Sequence, residues 1–336
     1  MKLYTLGDMH FSTSRPWDTE MFNAFISWFE KVDFGNREEC ELIQLGDVVE
    51  RASNLGNTLE LVTRFFKIAT KKFKTIYVIG GNHDHKNVFG DSQYATQFLR
   101  YLGEDAESIQ TIYEETLFST KNGWSILALP FRRVEGKVLD TYYSEDLPKE
   151  FYNTEVDLLC GHVAIKEKGS FYGGIDIKKF KFKNVAMGHI HTRNGEYKDY
   201  YTGSILPFKI DEAQTASPRI IKCFSRDGKS PDIQIPEFII FKKLQFGEDP
   251  VISREEKNLI HIFTVTNCKN IQQAKIQYPD LYIRGIEKLE NKVDTKTGEL
   301  LEQFISPRDA LDSMIKENKL ILKRKTINLL KSLLKE

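Results

Sequence analysis

The sequence predicts a layered α/β domain followed by a small α+β capping module and C-terminal helices. Three observations carry this. Short apolar runs recur through the first 190 residues, and most stop at glycine followed by a polar residue. Helical periodicity fills the gaps between the early runs, and strand–helix alternation of this kind builds layered α/β domains. Beyond residue 225 the character changes to a polar stretch, a short strand–helix–strand pattern and a Lys-rich tail.

Taken in order, "KLYTL" (2–6), "ELIQL" (41–45), "TIYVI" (75–79), "WSILAL" (124–129), "VDLLC" (156–160) and "NVAM" (184–187) read as buried strands. They are short, rich in aliphatic and β-branched residues, and bounded by glycine, which favours strand over helix. Phe22, Phe25, Ile26 and Phe29 recur at helical spacing after Asp18, the expected N-cap. Leu61, Val62, Phe65, Phe66 and Ile68 repeat the pattern after Thr58. "SRDGKSPDIQIP" (225–236) is the expected exit from the first domain, dividing the chain into 1–235, 236–305 and 306–336. In the module, "KNLIHIFTVT", "NIQQAKIQY" and "DLYIRGIEKLE" read as strand, helix and strand. From Pro307 two short amphipathic helices are expected, broken near Asn318, with Leu311, Met314 and Ile315 on the first. Ile327, Leu330 and Leu334 stripe the second, beside Leu329 and Leu333. Such a stripe fits docking on a partner and capping of the chain's own core equally well.

Lys+Arg and Asp+Glu cancel at 48 each in 336 residues, so any nucleic-acid footprint has to be local. "KKFKFK" (178–183) is either such a contact or an exposed edge strand with solvated lysines, and "FRRVEGK" (131–137) is a weaker candidate. Cys40, Cys160, Cys223 and Cys268 form no Cys-x-x-Cys pair, which favours reduced, buried thiols. The first strand reaches Gly7-Asp8 too soon for a signal peptide, and no run of 18 apolar residues follows. The expectation is a cytoplasmic protein with no membrane partner.

The chemistry lies where strands end. "KLYTL" runs into Gly7-Asp8-Met9-His10, "ELIQL" into Gly46-Asp47, and "TIYVI" into Gly80-Gly81-Asn82-His83-Asp84. "VDLLC" runs into Gly161-His162 and "NVAM" into Gly188-His189-Ile190-His191. Ligands of α/β sheets gather outside the carboxyl ends of strands, so these loops can converge. The glycines suit close approach of several loops, where a Cβ has no room. Six of the seven histidines lie in these loops, and only His261 lies elsewhere. Imidazole with carboxylate and amide oxygen, and no thiolate, suits Mn, Fe or Zn better than Mg or Ca. The donors exceed what one ion needs, whereas two ions roughly 3.5–4 Å apart sharing a carboxylate would use them.

The ordered set D-x-H, GD, GNHD, GH and GHxH resembles the calcineurin-like metallophosphoesterase superfamily over roughly residues 1–210. "CGHVAIKEKGSFYGG", "AMGHIHT" and "YYTGSILPFKIDEA" are similar to segments of the SbcD-type nuclease subunits and their phage recombination-exonuclease counterparts. The resemblance implies two β-sheets flanked by helices. It implies one metal on Asp8, His10, Asp47 and His191, and a second on Asp47, Asn82, His162 and His189, with Asp47 bridging. It makes His83 the catalytic histidine facing the substrate. Glu50, in "GDVVER", stands where the family has an Asp or His that orients this histidine, and is expected to keep that role. Asp84 is expected to brace the loop by accepting backbone N–H bonds; His85 is left as a substrate-edge or solvated residue.

The function implied is a DNA nuclease subunit using two divalent ions, manganese first, with magnesium or iron as alternatives. It would work with an SbcC-like coiled-coil ATPase, as a homodimer within a heterotetramer, in recombination, replication or repair. A phosphomonoesterase and a non-catalytic binding scaffold of the same fold are the rival readings.

Overall fold

The computed structural model describes residues 1–88, 91–102, 108–131, 147–167, 174–208, 210–213 and 218–287. In chain order the first elements are β1 (Lys2–Leu6), α1 (Asp18–Lys31), β2 (Cys40–Gln44), α2 (Leu55–Lys72) and β3 (Thr75–Ile79). There follow β4 (His85–Val88), β5 (Asp91–Tyr94), β6 (Ile109–Ile112), β7 (Thr116–Ser119), β8 (Ser125–Leu129), α3 (Lys149–Asn153), β9 (Glu155–Gly161) and β10 (Lys181–Met187). The chain continues with α4 (Ile210–Ala213), β11 (Ile220–Ser225), β12 (Gly228–Lys229) and β13 (Ile233–Gln234). Last come β14 (Ile239–Gln245), β15 (Ile260–Thr266), α5 (Ile271–Gln277) and β16 (Tyr282–Glu287).

Two sheets face each other. One has the order β12-β11-β1-β2-β3-β6, with β13 on β11, and the other is β10-β9-β8-β7. β1, β2, β3 and β6 are parallel, as are β8, β9 and β10, so their carboxyl ends share one edge within each sheet. Side chains alternate across each strand. Leu3, Ile43, Tyr77 and Ile79 meet Ile126, Ala128, Leu158, Cys160 and Ala186 in a core between the sheets. Tyr4, Leu6, Leu42, Ile76 and Val78 point the other way, against α1 and α2. There Phe22, Phe25, Phe29, Phe65 and Phe66 are fully buried, and Phe29 and Phe65 lie 4.8 Å apart. Burying one such side chain contributes about 1.5–3 kcal/mol, enough to fix both helices on the sheet. A third core, with Leu127, Leu159, Val185 and Met187, covers the outer face of the second sheet. The result is the expected sandwich of two sheets flanked by helices. All four cysteines are free and buried.

Several expectations change in detail. Asp18 is not the N-cap: Trp17 holds that position, and the Asp18 carboxylate turns back to accept from Arg15 N (3.0 Å) and Nε (2.6 Å). α2 begins at Leu55, so Thr58 lies inside its first turn and donates to the Leu55 carbonyl at 3.2 Å. The segment read as an exit folds back as β12 and β13 on β11, with Asp232 accepting from Cys223 N at 3.1 Å. The strand–helix–strand pattern of the module is present as β15, α5 and β16, preceded by β14, which pairs in parallel with β15. Leu244, Phe263, Val265, Ala274, Tyr278 and Ile283 form its own core. Ile239, Ile260 and Ile262 join the main core instead. The expected terminal helices and most of "FRRVEGK" lie outside the described residues. No helix among the described residues is long and apolar enough to cross a membrane.

Candidate metal centre

Each donor loop begins where a parallel strand ends, and backbone bonds stitch the loops together. The Asp47 carbonyl accepts from both Met9 N (3.0 Å) and His10 N (2.9 Å), Gly188 N donates to Gly161 O (2.9 Å), and Ala52 N donates to His83 O (3.0 Å). His10, Asp47 and His189 have φ of 48°, 53° and 78°. Left-handed backbone at a non-glycine residue costs on the order of 1–3 kcal/mol and persists only where surrounding structure imposes it. Three such residues, all donors, mark a site built against local preference.

Two clusters of donor atoms share one oxygen. In the first, His10 Nε2 lies 2.9 Å from His191 Nε2 and 3.4 Å from Asp47 Oδ2. Donor atoms of Asp8, His10, Asp47 and His191 all lie within 4.8 Å of one another. In the second, His162 Nε2 lies 3.2 Å from the same Asp47 Oδ2, 2.9 Å from Asn82 Oδ1 and 3.3 Å from His189 Nδ1. Asn82 Oδ1 is 3.1 Å from His189 Nδ1. Asp47 Oδ1 accepts from His83 N at 2.8 Å.

The residues fit divalent cations. His191 Nδ1 donates to Glu212 Oε1 at 3.0 Å and His162 Nδ1 to the Leu45 carbonyl at 2.7 Å, which leaves both Nε2 lone pairs aimed inward. Two imidazole nitrogens at 2.9 Å need a proton or a cation between them. Asp8 Oδ2 is buried and has no hydrogen-bond partner among the described residues, while Asp8 Oδ1 accepts from His189 N at 2.9 Å. An orphaned buried carboxylate oxygen costs stability unless something positive meets it.

Burial would raise the Asp47 carboxyl, but the His162, His10 and His83 imidazoles outweigh it and hold it well below the usual range. Burial raises Asp8. Burial and then the Asp47 charge push Asp84 up to about 7. Burial would lower His162, but Asp47 and then Asp8 push it up to about 9. Burial, with the charge of His162, pushes His189 down to about 3. Cation binding at these donors would displace protons from the imidazoles.

The remaining expectations resolve as follows. Asp84 accepts from Gly81 N (3.0 Å) and Val49 N (3.2 Å), the bracing role expected of it. A Glu50 carboxylate oxygen lies within 4.8 Å of ring nitrogens of both His10 and His83, but among the described residues its close contact is with His10. Glu50 Oε2 lies 2.9 Å from His10 Nδ1, bent away from a linear hydrogen bond, and the Glu50 main-chain carbonyl takes His83 Nδ1 at 2.5 Å. The glutamate side chain is long enough to reach past His83 to the metal-side ring. His85 packs edge-on against Tyr94 at 5.2 Å, apart from the donor contacts above. Lys183 of "KKFKFK" is held by Asp157 at 2.8 Å on β10, the end strand of its sheet. Lys183 precedes the end of β10 by four residues, roughly 13 Å at about 3.3 Å each, and His189 lies two residues beyond that end. Glu212 was not anticipated, nor were Phe208 and Phe131. Phe208 lies 5.0 Å from the His10 ring and 5.9 Å from that of His191, and Phe131 lies 6.1 Å from that of His189.

A Cβ on Gly81 would overlap the Asp47 main-chain N and Oδ1, and neither can move aside. Gly81→Ala should therefore cost about 3 kcal/mol or more, a drop of roughly 6–12 °C in melting temperature. It should also release metal. A variant that melts and binds metal like the wild type would show that the two loops are not in close contact.

The profile of the calcineurin-like phosphoesterase family matches residues 1–193. No curated protein matches the chain. Among solved structures, it is similar to a phosphopantetheinyl hydrolase from Mycobacterium tuberculosis, with TM-score 0.36 and 13% identity over 65% of this chain and 93% of that one. A protein of unknown function from Aquifex aeolicus matches with TM-score 0.28 and 15% identity over 55% and 88% of the two chains. Nuclease MPE from Pseudomonas putida matches with TM-score 0.27 and 17% identity over 56% and 62%. At these TM-scores the structural likenesses carry no argument. The family match covers more than half of the 336 residues. The chain belongs to the calcineurin-like phosphoesterase family, hydrolases of phosphoesters that use divalent metals.

Proposed function

We propose that the chain is the nuclease subunit of an SbcCD-like complex, hydrolysing phosphodiester bonds in DNA at a pair of divalent ions, manganese first. The observation that carries the two-ion reading is the doubled donor set astride Asp47 Oδ2. Seven donor residues, Asp8, His10, Asp47, Asn82, His162, His189 and His191, form it, and a binding scaffold would have no reason to keep them all. Two divalent ions held there would lower the pKa of a bound water and polarise a phosphoryl oxygen. The chain's own part is to hold the substrate and move a proton. His83 has Nδ1 tied to the Glu50 carbonyl, which leaves Nε2 as the nitrogen available to a phosphate oxygen or leaving group.

DNA as substrate rests on the three segments similar to SbcD-type subunits and on the appended β14-β15-β16 module. The division into 1–235, 236–305 and 306–336 belongs to this proposal. So do docking of the Ile327, Leu330 and Leu334 stripe on the ATPase, the homodimer within a heterotetramer, and the cytoplasmic location. The test is Mn-dependent cleavage of a linear duplex, with and without the co-expressed ATPase, beside phosphate release from a generic monoester. Duplex degradation that the ATPase stimulates is the expected result. Monoester hydrolysis alone would make the chain a phosphatase, and two bound ions without either activity would make it a scaffold.

A further inference from the structure

We propose that Glu212 is a positioning residue that aims His191 and thereby sets the affinity of one of the two ions, the one shared by Asp8, His10, Asp47 and His191. The inference rests on the two-metal reading above. Glu212 is 5% exposed, and both carboxylate oxygens are engaged. Oε1 accepts from His191 Nδ1 at 3.0 Å, and Oε2 accepts from Phe208 N at 2.7 Å. Arg219 Nη2 in turn donates to the Glu212 carbonyl at 3.0 Å, which fixes the short helix α4 from behind.

Two consequences follow from the chemistry. A carboxylate on Nδ1 selects the tautomer whose Nε2 lone pair is free, and it makes that nitrogen a better donor. Its second oxygen holds Phe208, whose ring packs on both His10 and His191, so one side chain sets the aim of two imidazoles. The second cluster is held differently. The His162 ring donates to a main-chain carbonyl, that of Leu45, which no substitution of a side chain removes. Loss of Glu212 should therefore weaken one ion and spare the other. Glutamine cannot substitute: an amide offers one acceptor, whereas His191 Nδ1 and Phe208 N both donate.

The test is calorimetric titration of the chelator-stripped full chain with MnCl2 alone, for wild type, Glu212→Gln, Glu212→Ala and His191→Ala. Melting curves are recorded without metal. The wild type should take up two ions. In both Glu212 variants one ion should bind about 10- to 100-fold more weakly while the other keeps its wild-type affinity. The double variant Glu212→Gln/His191→Ala should lose less than the two single losses combined, because the glutamate acts largely through that ring. Wild-type affinity for both ions in Glu212→Gln would overturn the assignment. So would equal weakening of both ions in step with a lower metal-free melting temperature, which is the signature of a purely structural role. A wild type that takes up one ion or none would instead remove the two-metal reading beneath it.

Discussion

Asp47→Ala should abolish phosphoester hydrolysis and empty both cation positions in one step. The reason lies in a single atom. Asp47 Oδ2 is 3.4 Å from His10 Nε2 and 3.2 Å from His162 Nε2, so it stands between the two donor clusters. Asp47 Oδ1 in turn accepts from His83 N at 2.8 Å. Removing the side chain therefore also releases the amide that anchors the Asn82-His83 turn. Enzymes of this kind supply accelerations of roughly 10⁶-fold or more, so turnover should fall by at least about 10⁴-fold. Asp47→Asn separates charge from shape. Asparagine tolerates the left-handed backbone at φ 53° and fits the same space, yet carries no charge to share between two cations. It should lose activity almost as completely while melting close to the wild type. Metal analysis decides the matter: two ions retained in either variant would sink the bridging assignment.

The parts of this site that were legible in the sequence are those set by local rules. "KLYTL" and "TIYVI" are strands over the very residues expected, because a short apolar run buried on both faces and a following glycine are properties of five or six consecutive residues. The donor loops were legible for the same reason, since each motif sits within a few residues of its strand. What was missed depends on the third dimension. β11 enters the first sheet antiparallel to β1 from more than 200 residues away, and nothing near Ile220 announces its partner. Glu212 lies 21 residues beyond His191 on a four-residue helix, with no spacing that ties it to the ring it holds. Glu50 was found, but its close contact with His10 was not. Both His10 and His83 lie within reach of that loop, and their rings are 4.7 Å apart, so only the fold could say which receives the carboxylate and which the carbonyl.

That exchange of targets separates His83 from Glu50 in a way the sequence did not suggest. His83→Ala should lower turnover by about 10²–10⁴-fold, the usual contribution of a positioned acid or base, while both ions remain bound. None of its nitrogens belongs to either donor cluster; its backbone N–H, which anchors Asp47, survives in alanine. Had the Glu50 carboxylate oriented His83, Glu50→Gln should match that loss at constant metal content. With His83 Nδ1 instead on the Glu50 main-chain carbonyl, the substitution leaves the His83 ring aimed as before. Its effect should fall on His10, whose Nδ1 faces Oε2 at 2.9 Å, and should be read in weakened metal binding recovered at higher Mn²⁺. Steady-state kinetics across a manganese series distinguish the two cases. Glu50→Gln should approach wild-type turnover at saturating metal, whereas His83→Ala should stay slow at every concentration. If Glu50→Gln stays as slow as His83→Ala at saturating Mn²⁺, the carboxylate acts on His83 after all, and the main-chain carbonyl is not what holds it.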